Sequence, residues 1–180
     1  EYRLAQGITG PMFVGKDTHA LSEPAFQTAL SVLVANGVKV HIQLGGGYTP
    51  TPVVSQAILA YNATKPDQQA DGLIITPSHN PPSDGGIKYN PPHGGPADTD
   101  ATGWIEQRAN SLIAAGLQGV KSISYEQAVA ACQLHDYVEG YVAALADVID
   151  FAAIRSKNIK VGVDPMGGSG IAFWQAIATR

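Results

Sequence analysis

Cysteine is almost absent from this sequence. Cys132 stands alone among 180 residues, which excludes an internal disulfide and any cysteine-based metal frame. Charge is scarce as well: 14% of residues are charged, against about 25% in an average globular domain. The 11 Lys plus Arg and 15 Asp plus Glu give a formal net charge of −4. That balance argues against a basic groove for nucleic acid and against a polybasic membrane face. Long apolar runs are missing too, none reaching the roughly 18 residues that mark a membrane span. Glu1 to Gln6 lacks the layout of a signal peptide. The five histidines, His19, His41, His79, His93 and His135, fall at no metal-ligating spacing. The expectation is a cytoplasmic protein with no nucleic-acid, membrane or obligate protein partner.

What is present is enough for a folded core, with 44% hydrophobic residues and with Gly 20 and Pro 12 below low-complexity levels. Residues 12–16 read as a buried strand. Ser22 is placed to cap a following helix whose apolar face is Phe26, Ala29, Leu30, Leu33 and Val34, closed by Asn36-Gly37. Val38, Val40, Ile42 and Leu44 alternate as a second strand running into Gly45-Gly46-Gly47. Thr51 and Pro52 open a helix with Val53, Val54, Ala57, Ile58 and Tyr61 on one face, and residues 72–76 form a third strand. Strands alternating with helices predict an α/β fold, a three-layer α/β/α domain with a mostly parallel mixed sheet. Ligands in such folds sit at the carboxyl ends of strands.

Helical patterning returns from Thr102 to Gly116 and, after a small excursion, from Tyr137 to Leu145. Asp147 to Asn158 reads as a domain crossing. Ile159 to Val163 predicts a new strand, and Asp164 to Gly170 leads into a helix bearing Ile171, Phe173, Trp174 and Ile177. One strand and one helix cannot bury their own apolar faces. Residues 1–150 are therefore expected to form one domain, and 151–180 a linker and the truncated opening of a second α/β domain that continues beyond Arg180.

The segment after the third strand carries the chemistry. Residues 77–96 are polar, proline-studded and long, a composition that favours function over mere connection. Pro77, Pro81 and Pro82 restrict the backbone around Ser78. Ser78 and His79 are neighbours, but adjacency does not make a nucleophile–base pair, and no Gly-x-Ser-x-Gly elbow surrounds them. Ser78 either reacts or caps a turn. His79 either donates to a phosphate or bonds a backbone carbonyl. Lys88, on a short strand at 87–89, is either a surface residue or an amine turned back toward Ser78 through Gly85-Gly86. Asp164 to Gly170 resembles a phosphate loop only faintly, matching neither Gly-x-Gly-x-x-Gly nor a P-loop ending, and a tight strand-to-helix turn is the preferred reading.

The stretch Ile75-Thr76-Pro77-Ser78-His79-Asn80-Pro81-Pro82, followed by Asp84-Gly85-Gly86-Ile87-Lys88-Tyr89-Asn90, closely resembles the active-site loop of the α-D-phosphohexomutases, nearest to the bacterial phosphoglucomutases. Residues 15–19, 49–52, 94–99 and 163–170 match further motifs of that family. The resemblance implies domain I without its extreme N-terminal segment, followed by the start of domain II. It implies that Ser78 is a phosphoserine interconverting α-D-glucose 1-phosphate and glucose 6-phosphate through glucose 1,6-bisphosphate. His79 and Lys88 would lie beside the transferring group, binding phosphate, with Lys88 moving a proton. Mg2+ would be bound by the phosphate of Ser78 and by an aspartate-rich loop outside these residues, so the isolated stretch is expected to be inactive. Asp17 and His19 are assigned to loop packing. Phosphomannomutase or dual-specificity activity is the alternative within the family, and a noncatalytic anion-binding α/β domain the alternative outside it.

Overall fold

The computed structural model describes residues 1–180. Five strands make one sheet: β1 (Met12–Lys16), β2 (Val40–Gln43), β3 (Asp71–Ile75), β4 (Ile87–Asn90) and β5 (Gln133–His135), in the order β4-β3-β1-β2-β5. The pairs β1–β2, β1–β3 and β2–β5 are parallel, and β3–β4 is antiparallel. The helices are α1 (Tyr2–Ala5), α2 (Ser22–Ala35), α3 (Thr51–Thr64), α4 (Thr99–Ala114), α5 (Tyr125–Ala131), α6 (Tyr137–Ala144), α7 (Phe151–Ser156) and α8 (Ile171–Ala178).

The period-two alternation of a strand sorts neighbouring residues to opposite faces. Phe13 and Ile74 pack with Val53, Val54, Ala57 and Ile58 of α3, Tyr137 and Val142 of α6 and Phe173 of α8. Met12, Val14, Val40, Ile42 and Ile75 pack on the other face with Phe26 and Leu30 of α2 and Ala128 of α5. The result is the expected three-layer α/β/α domain with a mostly parallel mixed sheet. Leu30 is wholly buried, and truncating such a leucine to alanine costs about 2–5 kcal/mol. At Gly72 a Cβ would lie 2.8 Å from both Ile58 Cδ1 and Val54 Cγ1, so the missing side chain lets α3 sit close on the sheet.

At the amino end of β3, Asp71 is fully buried. Arg3 Nε lies 2.9 and 2.7 Å from its two carboxylate oxygens, and the Tyr89 hydroxyl donates to Oδ2 at 2.9 Å. Burial pushes the Asp71 carboxyl above its ordinary range, with Arg3 and Tyr89 opposing. Burial also raises the Tyr89 phenol. This buried pairing fastens the N-terminal segment and β4 to the sheet.

Several expectations need correction. Ser22 does not cap α2: Leu21 occupies the cap position without a side-chain bond, and Ser22 Oγ donates to Asp17 instead. The second strand is confined to Val40–Gln43, which omits Val38 before it and leaves Leu44 exposed after it. The helix expected from Thr102 begins at Thr99, because Asp98 accepts from the Ala101 N–H and ends the incoming chain. The excursion before Tyr137 holds α5, set by a Ser124–Gln127 capping box, and the edge strand β5. The crossing at 147–158 contains α7. No strand forms at Ile159 to Val163, where Ile159, Val161 and Val163 are all exposed. Alternation supplies a face, but a strand also needs a neighbour to take its N–H and C=O groups, and none lies alongside.

Candidate functional site

The segments leaving β1, β2 and β3 are bonded to one another at the carboxyl edge of the sheet. The Thr49 N–H donates to the Lys16 carbonyl at 2.8 Å, and the Asp17 N–H to the Ile75 carbonyl at 3.1 Å. His19 Nε2 lies 2.7 Å from the Pro82 carbonyl oxygen. His19 Nδ1 accepts from the Leu21 N–H at 3.1 Å, so the ring proton sits on Nε2 and donates to Pro82. The β1–α2 turn is thereby tied to the crest of the loop after β3.

That loop is narrow at its neck and open at its crest. The Thr76 N–H donates to the Gly86 carbonyl at 2.9 Å. A Cβ at Gly86 would run into the Thr76 carbonyl and lie 2.9 Å from Pro77 Cα, so only glycine closes the neck this way. Turns bond Asn80 N–H to Pro77 O at 3.2 Å and Asp84 N–H to Pro81 O at 2.9 Å. Ser78, His79 and Asp84 are exposed. Ser78 has φ 63°, in the left-handed region that residues with a Cβ rarely occupy, and its N–H donates to Thr76 Oγ1 at 3.0 Å.

Beneath the loop, Asp17 accepts from Ser22 Oγ at 2.5 Å and from the His19 N–H at 3.0 Å. Partial burial pushes its carboxyl upward, but the bonds from the Ser22 hydroxyl and the His19 N–H, with the nearby Thr76 hydroxyl, outweigh this and hold it below the usual range. Lys16, buried at the end of β1, pairs with Glu23 and lies 4.7 Å above the Phe26 ring centre. The bond from Lys16 lowers the Glu23 carboxyl.

Ser78 and His79 share the crest, while Lys88 sits partly buried on β4 beyond the neck. Lys88 opposes Ile74 in the ladder, which places it on the α3 side of the sheet. Lys88 forms no ion pair, and no hydrogen bond joins it to Ser78 or His79. An exposed hydroxyl on a tethered loop, with an imidazole beside it, is open to a phosphoryl donor or acceptor. Asp164 to Gly170 is closed locally: the Met166 N–H donates to Asp164 Oδ1 at 2.9 Å and the Gly168 N–H to Pro165 O at 2.7 Å. No strand precedes it.

Sequence reasoning passed over Thr76, Lys16 and the bonding role of Asp17. The signal for Asp17 was available: an Asp followed two residues later by an N–H it accepts is an Asx turn. For Mg2+, no group of three or more His, Cys, Asp and Glu side chains comes together. The side chains of this stretch therefore do not fit a complete Mg2+ shell.

A sequence profile for phosphoglucomutase/phosphomannomutase, alpha/beta/alpha domain I, matches residues 1–115. A phosphoglucomutase of Komagataeibacter xylinus is 54% identical over 182 residues, covering 100% of this chain and 33% of that protein. A cytoplasmic phosphoglucomutase of Mesembryanthemum crystallinum is 35% identical over 159 residues, covering 80% and 27%. The crystal structure of the exocytosis-sensitive phosphoprotein pp63/parafusin of Paramecium superposes with a TM-score of 0.76 at 22% identity, over 96% of this chain and 35% of that one. The last likeness is one of fold. The chain spans about a third of the length of these relatives.

Proposed function

Because the chain belongs to the phosphoglucomutase/phosphomannomutase family, we propose that it carries the phosphoserine loop of a phosphoglucomutase, with Ser78 as the group that gives and takes the phosphoryl. The observation that supports this most is Ser78 itself. Its hydroxyl is exposed at the crest of a tethered loop beyond the carboxyl end of β3, and its backbone is held left-handed by a bond to Thr76. Loops at that end of an α/β sheet are where ligands bind.

In the proposed reaction the bond between phosphorus and Ser78 Oγ breaks as a sugar hydroxyl oxygen bonds to phosphorus. The sugar hydroxyl loses its proton to a base, and Ser78 Oγ gains one. Glucose 1,6-bisphosphate forms, reorients, and returns its other phosphoryl group by the reverse step, so that α-D-glucose 1-phosphate and glucose 6-phosphate interconvert. Phosphoryl transfer depends mainly on alignment and on neutralising oxygen charge. Ser78 supplies alignment, His79 a donor to phosphate oxygens, and Lys88 a compact positive charge and an exchangeable proton. Mg2+, if bound, would add positive charge beside the phosphoryl group, and among these residues only a phosphorylated Ser78 would contact it. Hexose phosphates as substrates and a cytoplasmic location belong to the same reading.

We also take residues 1–150 as domain I and 151–180 as the linker and opening of domain II. The exposed alternation of Ile159, Val161 and Val163 supports this. The test of function is intact mass of the full-length protein after exposure to glucose 1,6-bisphosphate, followed by assay on glucose and mannose 1-phosphates. A gain of about 80 Da localised to Ser78, with faster turnover of the glucose ester, is expected. Faster turnover of the mannose ester selects phosphomannomutase instead. No covalent species and no turnover leaves an anion-binding domain.

A further inference from the structure

His19 is bonded at each of its polar atoms. Its N–H donates to Asp17 Oδ1 at 3.0 Å, and its carbonyl accepts from the Ser22 N–H at 2.9 Å. Nδ1 accepts from the Leu21 N–H at 3.1 Å, which leaves the ring proton on Nε2, 2.7 Å from the Pro82 carbonyl oxygen. The first three bonds lie within the β1–α2 turn. That turn leaves the central strand and is bonded to β3, the Asp17 N–H donating to the Ile75 carbonyl at 3.1 Å. The bond to Pro82 crosses to the loop that bears Ser78. It is exposed to water, yet forming it needs little further ordering of the ring, because the other three bonds already hold His19.

The loop gives that bond leverage. Its crest is two turns in tandem, one closed by the Asn80 N–H on the Pro77 carbonyl and the next by the Asp84 N–H on the Pro81 carbonyl. Ser78 lies in the first turn and Pro82 in the second. Pro81 and Pro82 join the two, and each ring fixes its own φ, so the turns move as one piece. The neck bond from the Thr76 N–H to the Gly86 carbonyl holds the base of this piece. Only the His19 bond reaches residues 77–85 from another segment of the fold. We propose that His19 is a positioning residue for phosphoryl transfer: its Nε2–H holds the second turn at Pro82 and, through the two prolines, sets where Ser78 Oγ stands. It touches neither the sugar nor the phosphoryl group. The proposal rests on the phosphoserine reading above.

Packing and positioning make different demands on this side chain. Packing asks for bulk, which leucine nearly supplies. Positioning asks for a donor where Nε2 stands. Glutamine places its amide nitrogen there and reaches the Pro82 carbonyl. Asparagine places its amide oxygen where Nδ1 stands, keeps the bond from the Leu21 N–H and falls short of Pro82. The two amides therefore separate the tether from the turn that carries it.

The experiment uses the full-length enzyme with His19→Asn, His19→Gln and His19→Leu. Quenched intact-mass measurements read the rate at which glucose 1,6-bisphosphate phosphorylates Ser78. Steady-state assays give kcat and KM, thermal unfolding checks the fold, and amide exchange is followed at Asn80 and Asp84. His19→Asn and His19→Leu are expected to slow transfer roughly 3- to 10-fold, the range over which one hydrogen bond shifts a population, with KM little changed. Exchange at Asn80 and Asp84 quickens in the same two variants, while β3 stays as protected as before. His19→Gln restores most of the rate and of the protection. Wild-type transfer in folded His19→Asn, or a His19→Gln as slow as His19→Asn, overturns the proposal. Should His19→Leu fail to fold, the asparagine and glutamine variants decide it. Absence of phosphate on Ser78 in the wild type is a separate result, and it removes the phosphoserine reading and this proposal with it.

Discussion

The Tyr137 hydroxyl in α6 donates to the carbonyl oxygen of His41 in β2 at 3.2 Å. His135 stacks edge-on against Tyr137 with ring centres 4.7 Å apart, and its ring lies 6.0 Å from that of His41, with Phe13 against both. His41 Nδ1 is buried without a partner. Burial lowers both imidazoles, His135 adding to the effect at His41 and Asp136 opposing it at His135.

The native state therefore favours neutral histidines, and the unfolded chain binds protons first as pH falls below 6.5. Stability from this cluster is present above that value and is lost as pH falls toward the folded pKa values. Urea midpoints taken from about pH 7 to about pH 5 should drop, and His41→Phe should flatten the slope. A wild-type midpoint constant over that range would refute the argument. Asp17 and Glu23, both lowered, lose their contributions only in the more acidic carboxylate range.

Arg3→Met should destabilise the protein by about 3–5 kcal/mol, because it leaves the buried Asp71 carboxylate without its cation. Equilibrium urea unfolding measures this. A loss below about 1 kcal/mol would place the pair among surface bridges of little worth.

Ser78 offers a test in which stability and activity move oppositely. Ser78→Gly removes the nucleophile and the Cβ that opposes φ 63°, so it should abolish phosphoenzyme while raising stability by up to about 1 kcal/mol. Ser78→Ala should also abolish phosphoenzyme but leave stability nearly unchanged. Intact mass and thermal unfolding on the same samples check both statements, and near-normal turnover in either variant contradicts the role of Ser78.

Lys88→Met keeps the apolar stem and removes charge and proton, so in the full-length enzyme it should slow single-turnover transfer by roughly 100-fold or more. Lys88→Arg should recover only part of the loss, since guanidinium does not readily give up a proton. Transfer at the wild-type rate in both variants would hand the role to another group, His79 first.

Hydrogen exchange should separate the C-terminal residues from the sheet. Residues 159–165 have no ladder and should exchange quickly, whereas α8 gains protection through Phe173, whose ring lies 5.9 Å from Tyr141. Protection at 159–165 equal to that of β2 would show a strand partner there.

The layers were legible because Phe13 against Met12 and Val14, and the apolar faces of α2 and α3, follow strand and helix periods directly. The failures share a cause in partners that periodicity does not reveal. Ile159 to Val163 has the strand pattern but no neighbour, while β5, only Gln133–His135, has a neighbour and almost no pattern. Ser22 has the chemistry of a cap, yet Asp17 takes its hydroxyl. At the site, Ser78, His79 and Lys88 stood out through composition and a family-like motif. The tether from His19 to Pro82 joins residues far apart in sequence, and local propensity carries no trace of it.

The place of β1 bears on how the chain acquires its structure. The first of the five strands in chain order is the central one, flanked by β2 and β3, and each parallel neighbour arrives only after a crossover helix. One edge of β1 thus stays open until β2 is made, and the other until β3 is complete at residue 75. Its earliest lasting protection comes from folding back α2, and slow closure by β3 leaves time for chaperone capture or misassociation.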